Sequence, residues 1–403
     1  MIIQPRTWGF VCTTAHPLGC AANVQKQIAH VHRAAPRNAR PRRVLVIGAS
    51  TGYGLAARIN AAFGHGAATL GVFLEKPPRG RKTASAGWYN SAAFEAEARR
   101  AGLTSVSTRA EALPHETRRR GMALLGSDLG GSVDRVSCSL ASPVRRMPDT
   151  GKTVRTVLRP IGQPFHGTTI DTDKDCLSEV SVEPASAQEI DDTVAVMGGE
   201  DWQLWMDALG AASLLSDNAR TLAFSYLGPE LTWPIYRDGT IGRAKAHLEK
   251  TARAMNARAG RADFARVAIL KSIVSQASAA IPVIPLYLSV VSRVMRERGV
   301  DEGAIEQQTR LFGDFLYPAT GTTAVDDAGR LRLDDRELAP EIQDACKALW
   351  RRVTDDNLHE ITDYPAYKRQ FLKLFGFGHD AIDYTADIDP QVPFEPAMVP
   401  GPD

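Results

Sequence analysis

The first strong pattern along the chain is the uninterrupted apolar run Val44-Leu45-Val46-Ile47, β-branched at all but one position. Continuous rather than alternating hydrophobicity over so few residues predicts a strand buried on both faces, the kind found inside a parallel sheet. The run leads into Gly48-Ala49-Ser50-Thr51-Gly52-Tyr53-Gly54, after which residues 55–63 carry apolar side chains at helical spacing. The alternation continues, with strands predicted over 67–74, 104–107 and 133–140 and helices over 94–101 and 115–125. From residue 188 the pattern is largely helical: 188–197, 199–211, 241–259, 264–292 with a break at Pro282 and Pro285, and 304–316.

Strands alternating with helices of this length predict βαβ units with right-handed crossovers, hence an α/β, Rossmann-type doubly wound parallel sheet with added helices. A length of 403 residues allows two or three modules or one enlarged unit. No repeat or low-complexity linker divides the chain. The expectation is therefore one compact body: an N-terminal extension over 1–40, a dinucleotide-binding and catalytic core over 41–300, and a helical C-terminal region over 301–403.

Charge narrows the range of partners. Lys+Arg 48 against Asp+Glu 46 gives a formal +2, no field for wrapping nucleic acid or holding an anionic membrane. Residues 1–50 nonetheless hold seven Lys/Arg and no acid, and 374–403 hold six Asp/Glu and no Lys/Arg. The uncharged stretch Ser272 to Ser292 is long enough to span a bilayer, but its five serines and two prolines point to a buried or pocket-lining segment. Five cysteines without a Cys-x-x-Cys pair suit a reducing, cytoplasmic setting and no disulfide or zinc framework. His16, His65, His166 and His379 lack ligand spacing with Cys or carboxylates, and Asp171-Thr172-Asp173-Lys174-Asp175 lacks the Gly and final Glu of a calcium loop, so no metal is expected.

The chemistry begins at the glycine turn. A backbone passing from strand to helix beside a pyrophosphate needs residues without Cβ, and the first helical N–H groups then stabilise the anion. The spacing Gly48-x3-Gly52-x-Gly54 meets that need, and Leu74-Glu75 closes the second strand with an acid twenty-three residues past Gly52. A carboxylate there accepts both adenosine ribose hydroxyls and repels a 2′-phosphate, which favours NADH. Lys76, Arg79 and Arg81 close by keep NADPH as the lesser reading.

Tyr236 and Lys245 are the attractive acid–base pair, yet they are nine residues apart. On one helix that spacing would set them on opposite faces, roughly 13 Å apart along the axis. Pro234 and Asp238-Gly239 resolve the conflict by placing Tyr236 in a loop and the helix start near Thr240, with Lys245 in its second turn.

Together these blocks resemble the FabV-type enoyl-acyl-carrier-protein reductases and related trans-2-enoyl-CoA reductases, enlarged short-chain dehydrogenases with a Tyr-x8-Lys arrangement. The resemblance runs through Gly9-Phe10-Val11-Cys12-Thr13-Thr14-Ala15-His16-Pro17, the Gly48–Gly54 turn, Gly71 to Pro77, Ser139-Leu140-Ala141-Ser142-Pro143, Val196 to Trp202, Thr232–Thr240, and Val274-Ser275-Gln276-Ala277-Ser278. It implies NADH-dependent reduction of the C2–C3 double bond of trans-2-enoyl thioesters, carried on acyl-carrier protein or CoA, in fatty-acid biosynthesis by a monomer. Tyr236 would assist enolate protonation, Lys245 would hold the nicotinamide ribose and lower the tyrosine pKa, and Tyr226 would contact substrate; the donor role stays undivided between the two tyrosines. Gly48, Ala49, Ser50, Thr51, Gly52, Tyr53, Leu74, Glu75, Glu111, Ala112, Ser139, Leu140, Ala141, Lys245, Val274, Ser275 and Gln276 would contact the cofactor. Two departures stand out: Glu111 and Ala112 occupy the place of the family's Asp-Ala at adenine, and Ser275 that of a Thr. Residues 277–291 would form the wall or lid of an acyl pocket, with plain buried helix the alternative for 284–291. The competing functions are a short-chain alcohol or ketone dehydrogenase and a non-catalytic dinucleotide sensor.

Overall fold

The computed structural model describes residues 1–33, 41–109, 115–318 and 321–398. Its centre is an eight-stranded sheet built from β1 Arg43–Ile47, β2 Ala68–Phe73, β3 Ser105–Arg109, β4 Val133–Cys138, β5 Leu215–Ser225, β6 Ala265–Ile269, β7 Leu331–Arg332 and β8 Ala397–Met398. Every neighbouring pair is parallel, in the order β7-β6-β5-β4-β1-β2-β3-β8. The order reverses between β1 and β4, so the crevice outside the carboxyl ends of those strands is where a doubly wound sheet binds its ligand. Val44, Leu45, Val46 and Ile47 are fully buried, as a central parallel strand requires.

Two strands contradict the sequence reading. Residues 264–292 were expected to be helical, but Ala265–Ile269 is β6 and only Gln276–Ala279 and Ile284–Glu297 are α-helix. A five-residue apolar run carries no period of its own, and pairing with β5 and β7 decides its state. The long β5 was not expected, because its outer half, Leu215 to Arg220, is largely polar and, apart from Ala219, only Thr221 to Ser225 is pressed into the core. The C-terminal region is also less separate than its helical pattern implied, since β7 and β8 close the two edges of the sheet.

Helix Ile284–Glu297 answers the question raised by the uncharged stretch. Ile284, Leu286, Tyr287, Leu288, Val290 and Val291 are buried beneath the C-terminal helices Pro340–Trp350 and Tyr364–Leu374. That part is core, and a pocket-lining role is left to the half-exposed residues 275–282. Among the described residues no helix is long and apolar enough to cross a membrane. The Asp171 to Asp175 segment is the turn of the antiparallel hairpin Phe165–Asp171 and Cys176–Val182, where Asp173 accepts the Gly9 N–H at 2.9 Å. The basic beginning and acidic end of the chain meet where the Met1 ammonium pairs with Asp387.

Candidate active site

The glycine turn after β1 is shaped by contacts that no side chain would survive. A Cβ on Gly48, whose φ is +84°, would lie 2.2 Å from the Ser139 carbonyl oxygen, and one on Gly54 would lie 1.9 Å from that of Gly48. The loop after β4, containing Ser139, Leu140 and Ala141, is thereby drawn onto the turn, and the Ser139 N–H donates to the Ile47 carbonyl at 2.8 Å. Gly52 differs: its φ is +51°, yet nothing lies within 4 Å of its Cβ position. The helix Gly52–Ile59 starts at Thr51 without a side-chain cap, which leaves its first N–H groups for an anion. Gly54→Ala is therefore expected to collapse the melting temperature. Gly52→Ala should cost only about 1–2 kcal/mol of stability while weakening NADH binding, because its methyl group enters the ligand's space. Thermal melts beside NADH titrations separate the two, and a stable Gly54→Ala protein would contradict this account.

Glu75 follows β2 at the same edge. Ser50 Oγ donates to one of its carboxylate oxygens at 2.6 Å and Ser85 Oγ donates to the other. Burial pushes the carboxyl upward and the two serine hydroxyls pull it back. Gly87 permits this fit, since a Cβ there would sit 2.0 Å from the Glu75 Oε1. Each carboxylate oxygen retains a free lone pair for a ribose hydroxyl. Leu74 is 63% exposed beside it, and Arg109 Nε holds the Glu75 carbonyl at 2.6 Å. Glu111 and Ala112 lie outside the described residues.

The turn between β5 and the helix Thr240–Ala259 places the pair that the sequence singled out. Tyr236 lies outside the helix: its N–H donates to Thr232 and its carbonyl accepts the Gly242 N–H at 3.1 Å. Gly242 allows the chain to double back, because a Cβ there would be 1.7 Å from the Arg237 carbonyl. Lys245 is one and a half turns into the helix and lies near the Cys138 thiol at the end of β4. Burial pulls the Lys245 ammonium down to about 8. Tyr236 is 7% exposed, and burial, with the Glu337 charge, pushes its phenol well above the ordinary value. The lowering expected from Lys245 is not realised: burial and the Glu337 charge are what set the Tyr236 phenol.

Tyr226 follows β5 directly and packs edge-to-face on Tyr236, ring centroids 5.1 Å apart. Val274, Ser275 and Gln276 lie in the loop after β6; Tyr53 ties that loop to the glycine turn by donating to the Lys271 carbonyl at 2.6 Å. Ser275 caps the short helix Gln276–Ala279, its Oγ accepting from Ser278 N at 3.0 Å. The structure thus gathers Gly48–Tyr53, Glu75, Ser139–Ala141, Tyr226, Tyr236, Lys245 and the 274–276 loop along one edge of the sheet. Ser85, Gly87, Ser272 and Glu337 also belong to this edge and were missed. Ser272 and Glu337 are single residues in aperiodic loops and Ser85 and Gly87 open the helix Ala86–Arg100, and no local spacing announces any of them.

A glycine turn with an open helix end, a two-serine carboxylate, and a buried tyrosine on the turn that feeds the helix of a half-buried lysine define a dinucleotide-dependent reductase. Residues 82–317 match a family described as "Trans-2-enoyl-CoA reductase catalytic region", and residues 2–80 match "NAD(P)H binding domain of trans-2-enoyl-CoA reductase". An enoyl-[acyl-carrier-protein] reductase [NADH] of Xanthomonas oryzae pv. oryzae is 55% identical over 400 residues, covering 98% of this chain and 99% of that one. The crystal structure of Treponema denticola trans-2-enoyl-CoA reductase in complex with NAD is similar at TM-score 0.93 and 44% identity, over 96% of this chain and 98% of that one. That of the Clostridium acetobutulicum trans-2-enoyl-CoA reductase in complex with NADH has TM-score 0.93 and 37% identity, over 97% and 98%. The chain belongs to the trans-2-enoyl-CoA reductase family.

Residues 325–388 match a third description, "Enoyl reductase FAD binding domain". The residues there do not suit a flavin dinucleotide. Its one described strand is the two-residue β7, with no glycine turn into a helix, and Ile342, Cys346, Leu358, Tyr364, Tyr367 and Phe371 fill the space as buried core. No step is assigned to a flavin.

Proposed function

We propose that this chain reduces the C2–C3 double bond of trans-2-enoyl thioesters with NADH, with Tyr236 as proton donor and Lys245 as the ribose-holding cation. The observation that carries the reading is the Tyr226–Tyr236 pair at the carboxyl edge of the sheet, on the turn that feeds the helix of half-buried Lys245. When bound, NADH supplies a hydride to C3, and the displaced electron pair moves onto the thioester oxygen. Tyr236, which burial keeps protonated, stabilises that oxygen and gives up its proton, which ends on C2; solvent restores the phenol. Lys245 supplies positive charge beside the ribose and the developing negative charge. Loss of NADH absorbance with matched acyl-carrier-protein and CoA enoyl substrates of increasing length tests the reading. Oxidation of simple alcohols with no turnover of either thioester would favour the alcohol dehydrogenase instead.

Glu75 carries the cofactor preference. Losing its two charge-assisted bonds, each about 1.5–3 kcal/mol, should weaken NADH binding by about 10²–10⁴-fold in Glu75→Ala and ease entry of NADPH. The ratio of kcat/KM for NADH and NADPH measures this, and an unchanged ratio would remove Glu75 from the role. Fatty-acid biosynthesis in the cytoplasm is the setting we infer, consistent with five free thiols, four of them buried. The monomer is supported by the two-residue strands β7 and β8, which leave little edge for another sheet. Light scattering on the purified protein checks it.

A further inference from the structure

One carboxylate in this structure is completely enclosed and belongs to no motif. Glu337, in the segment between β7 and helix Pro340–Trp350, is 0% exposed. Its Oε1 accepts from Tyr226 OH at 2.9 Å, Tyr287 OH at 2.7 Å and Ser272 Oγ at 2.7 Å, and its Oε2 accepts from Ser272 N at 2.8 Å. Gln343 Nε2 holds the Glu337 carbonyl at 2.6 Å and reaches the Tyr287 oxygen at 3.2 Å. The residue therefore links the end of β5, the loop after β6, the helix Ile284–Glu297 and the C-terminal helices. All four groups facing the carboxylate are donors, and an ionised carboxylate is the partner that satisfies four donors without supplying one.

The consequence concerns the two tyrosines of the site. A phenol has a single proton, and that of Tyr226 is directed at Glu337. Its contact with Tyr236 is ring to ring, edge-to-face with centroids 5.1 Å apart. We propose that Glu337 is a positioning residue that commits the Tyr226 hydroxyl as an internal donor, so that the proton of the reaction comes from Tyr236 alone. This rests on the enoyl reductase reading and divides a role that the sequence left shared. Burial and the Glu337 charge push the Tyr226 phenol well above its ordinary value, in keeping with a proton that stays in place.

The test is a suppressor experiment. Glu337→Gln removes the negative charge and replaces one of the two acceptor oxygens with an NH2 donor, which weakens the hold on the Tyr226 proton and lets that hydroxyl turn to donate elsewhere. Tyr236→Phe/Glu337→Gln is expected to turn over at least about tenfold faster than Tyr236→Phe, and adding Tyr226→Phe should abolish the gain. A merely structural glutamate would give no such increase. Circular dichroism and NADH binding confirm that the variants fold. If Glu337→Gln does not fold, Tyr226→Phe alone decides: a several-fold higher enoyl KM with kcat nearly unchanged supports the proposal, and a kcat loss as large as that of Tyr236→Phe overturns it. Full turnover by Tyr236→Phe overturns the proposed donor and this inference with it, whereas an inactive Tyr236→Phe that Glu337→Gln leaves unimproved overturns the inference alone.

Discussion

Tyr236→Phe is expected to lower kcat by about 10²–10⁴-fold, the span that a positioned proton donor contributes, while leaving NADH affinity nearly unchanged. That loss is roughly 3–5 kcal/mol of transition-state stabilisation. The ring is retained, so its edge-to-face contact with Tyr226 and its place in the turn persist, and what disappears is one hydroxyl. The loss should fall on kcat and kcat/KM alike, because the bond to the thioester oxygen strengthens only as negative charge develops there. Single-turnover mixing of preformed enzyme–NADH with a crotonyl thioester isolates the chemical step. Near-normal turnover in that experiment would eliminate Tyr236 as the donor. The tyrosine itself should contribute no alkaline limb near neutrality, since burial and the Glu337 charge hold its proton.

Lys245 is expected to supply that limb. Burial draws its ammonium down to about 8, so kcat/KM should fall as the pH rises through that value and the free enzyme loses the charge. Lys245→Met should lower kcat/KM by at least about 10²-fold, the lower end for a directly participating group, and should remove the limb. Lys245→Arg, which keeps its charge far above pH 8, should flatten the limb even if its plateau is lower. Stability moves in the opposite sense. An unfolded lysine titrates near 10.4, so below about 8 both states are protonated and the fold bears the full cost of the buried charge. Between about 8 and 10.4 the unfolded chain binds more protons, and this residue's contribution to stability rises with pH. Lys245→Met should thus melt higher than the parent at neutral pH while being far less active. A pH profile of kcat/KM beside thermal melts at matched pH checks both signs. A limb unchanged in Lys245→Arg would assign it to another group.

The two variants differ in kind. Tyr236→Phe leaves the electrostatics of the edge intact and removes a bond to the reacting oxygen. Lys245→Met removes a charge that the fold tolerates at a cost, as sites under functional demand often do.

Much of this arrangement was legible in the chain. The buried run Val44 to Ile47 with Gly48, Gly52 and Gly54 fixed the central strand, the turn and the helix, because a parallel strand must be apolar on both faces and the turn tolerates no Cβ at Gly48 or Gly54. Pro234 and Asp238-Gly239 marked the turn that holds Tyr236 outside the helix of Lys245. These are local constraints, written in neighbouring residues.

What the sequence could not decide was everything set by contacts between distant segments. Ala265–Ile269 and Leu215–Ser225 are strands because the sheet offers them partners, which no periodicity in five residues or in a half-polar eleven reveals. Ser85 reaches Glu75 only because Gly87 lets the next helix come close. Glu337 is separated by 111 residues from Tyr226 and by 65 from Ser272, and its role exists only where tertiary folding removes water and leaves a carboxylate surrounded by donors. By itself the sequence determined the cofactor turn and the Tyr–Lys pair, because steric and conformational limits act on adjacent residues. Which tyrosine keeps its proton was decided by the tertiary structure, because burial and the field of a distant carboxylate act through space.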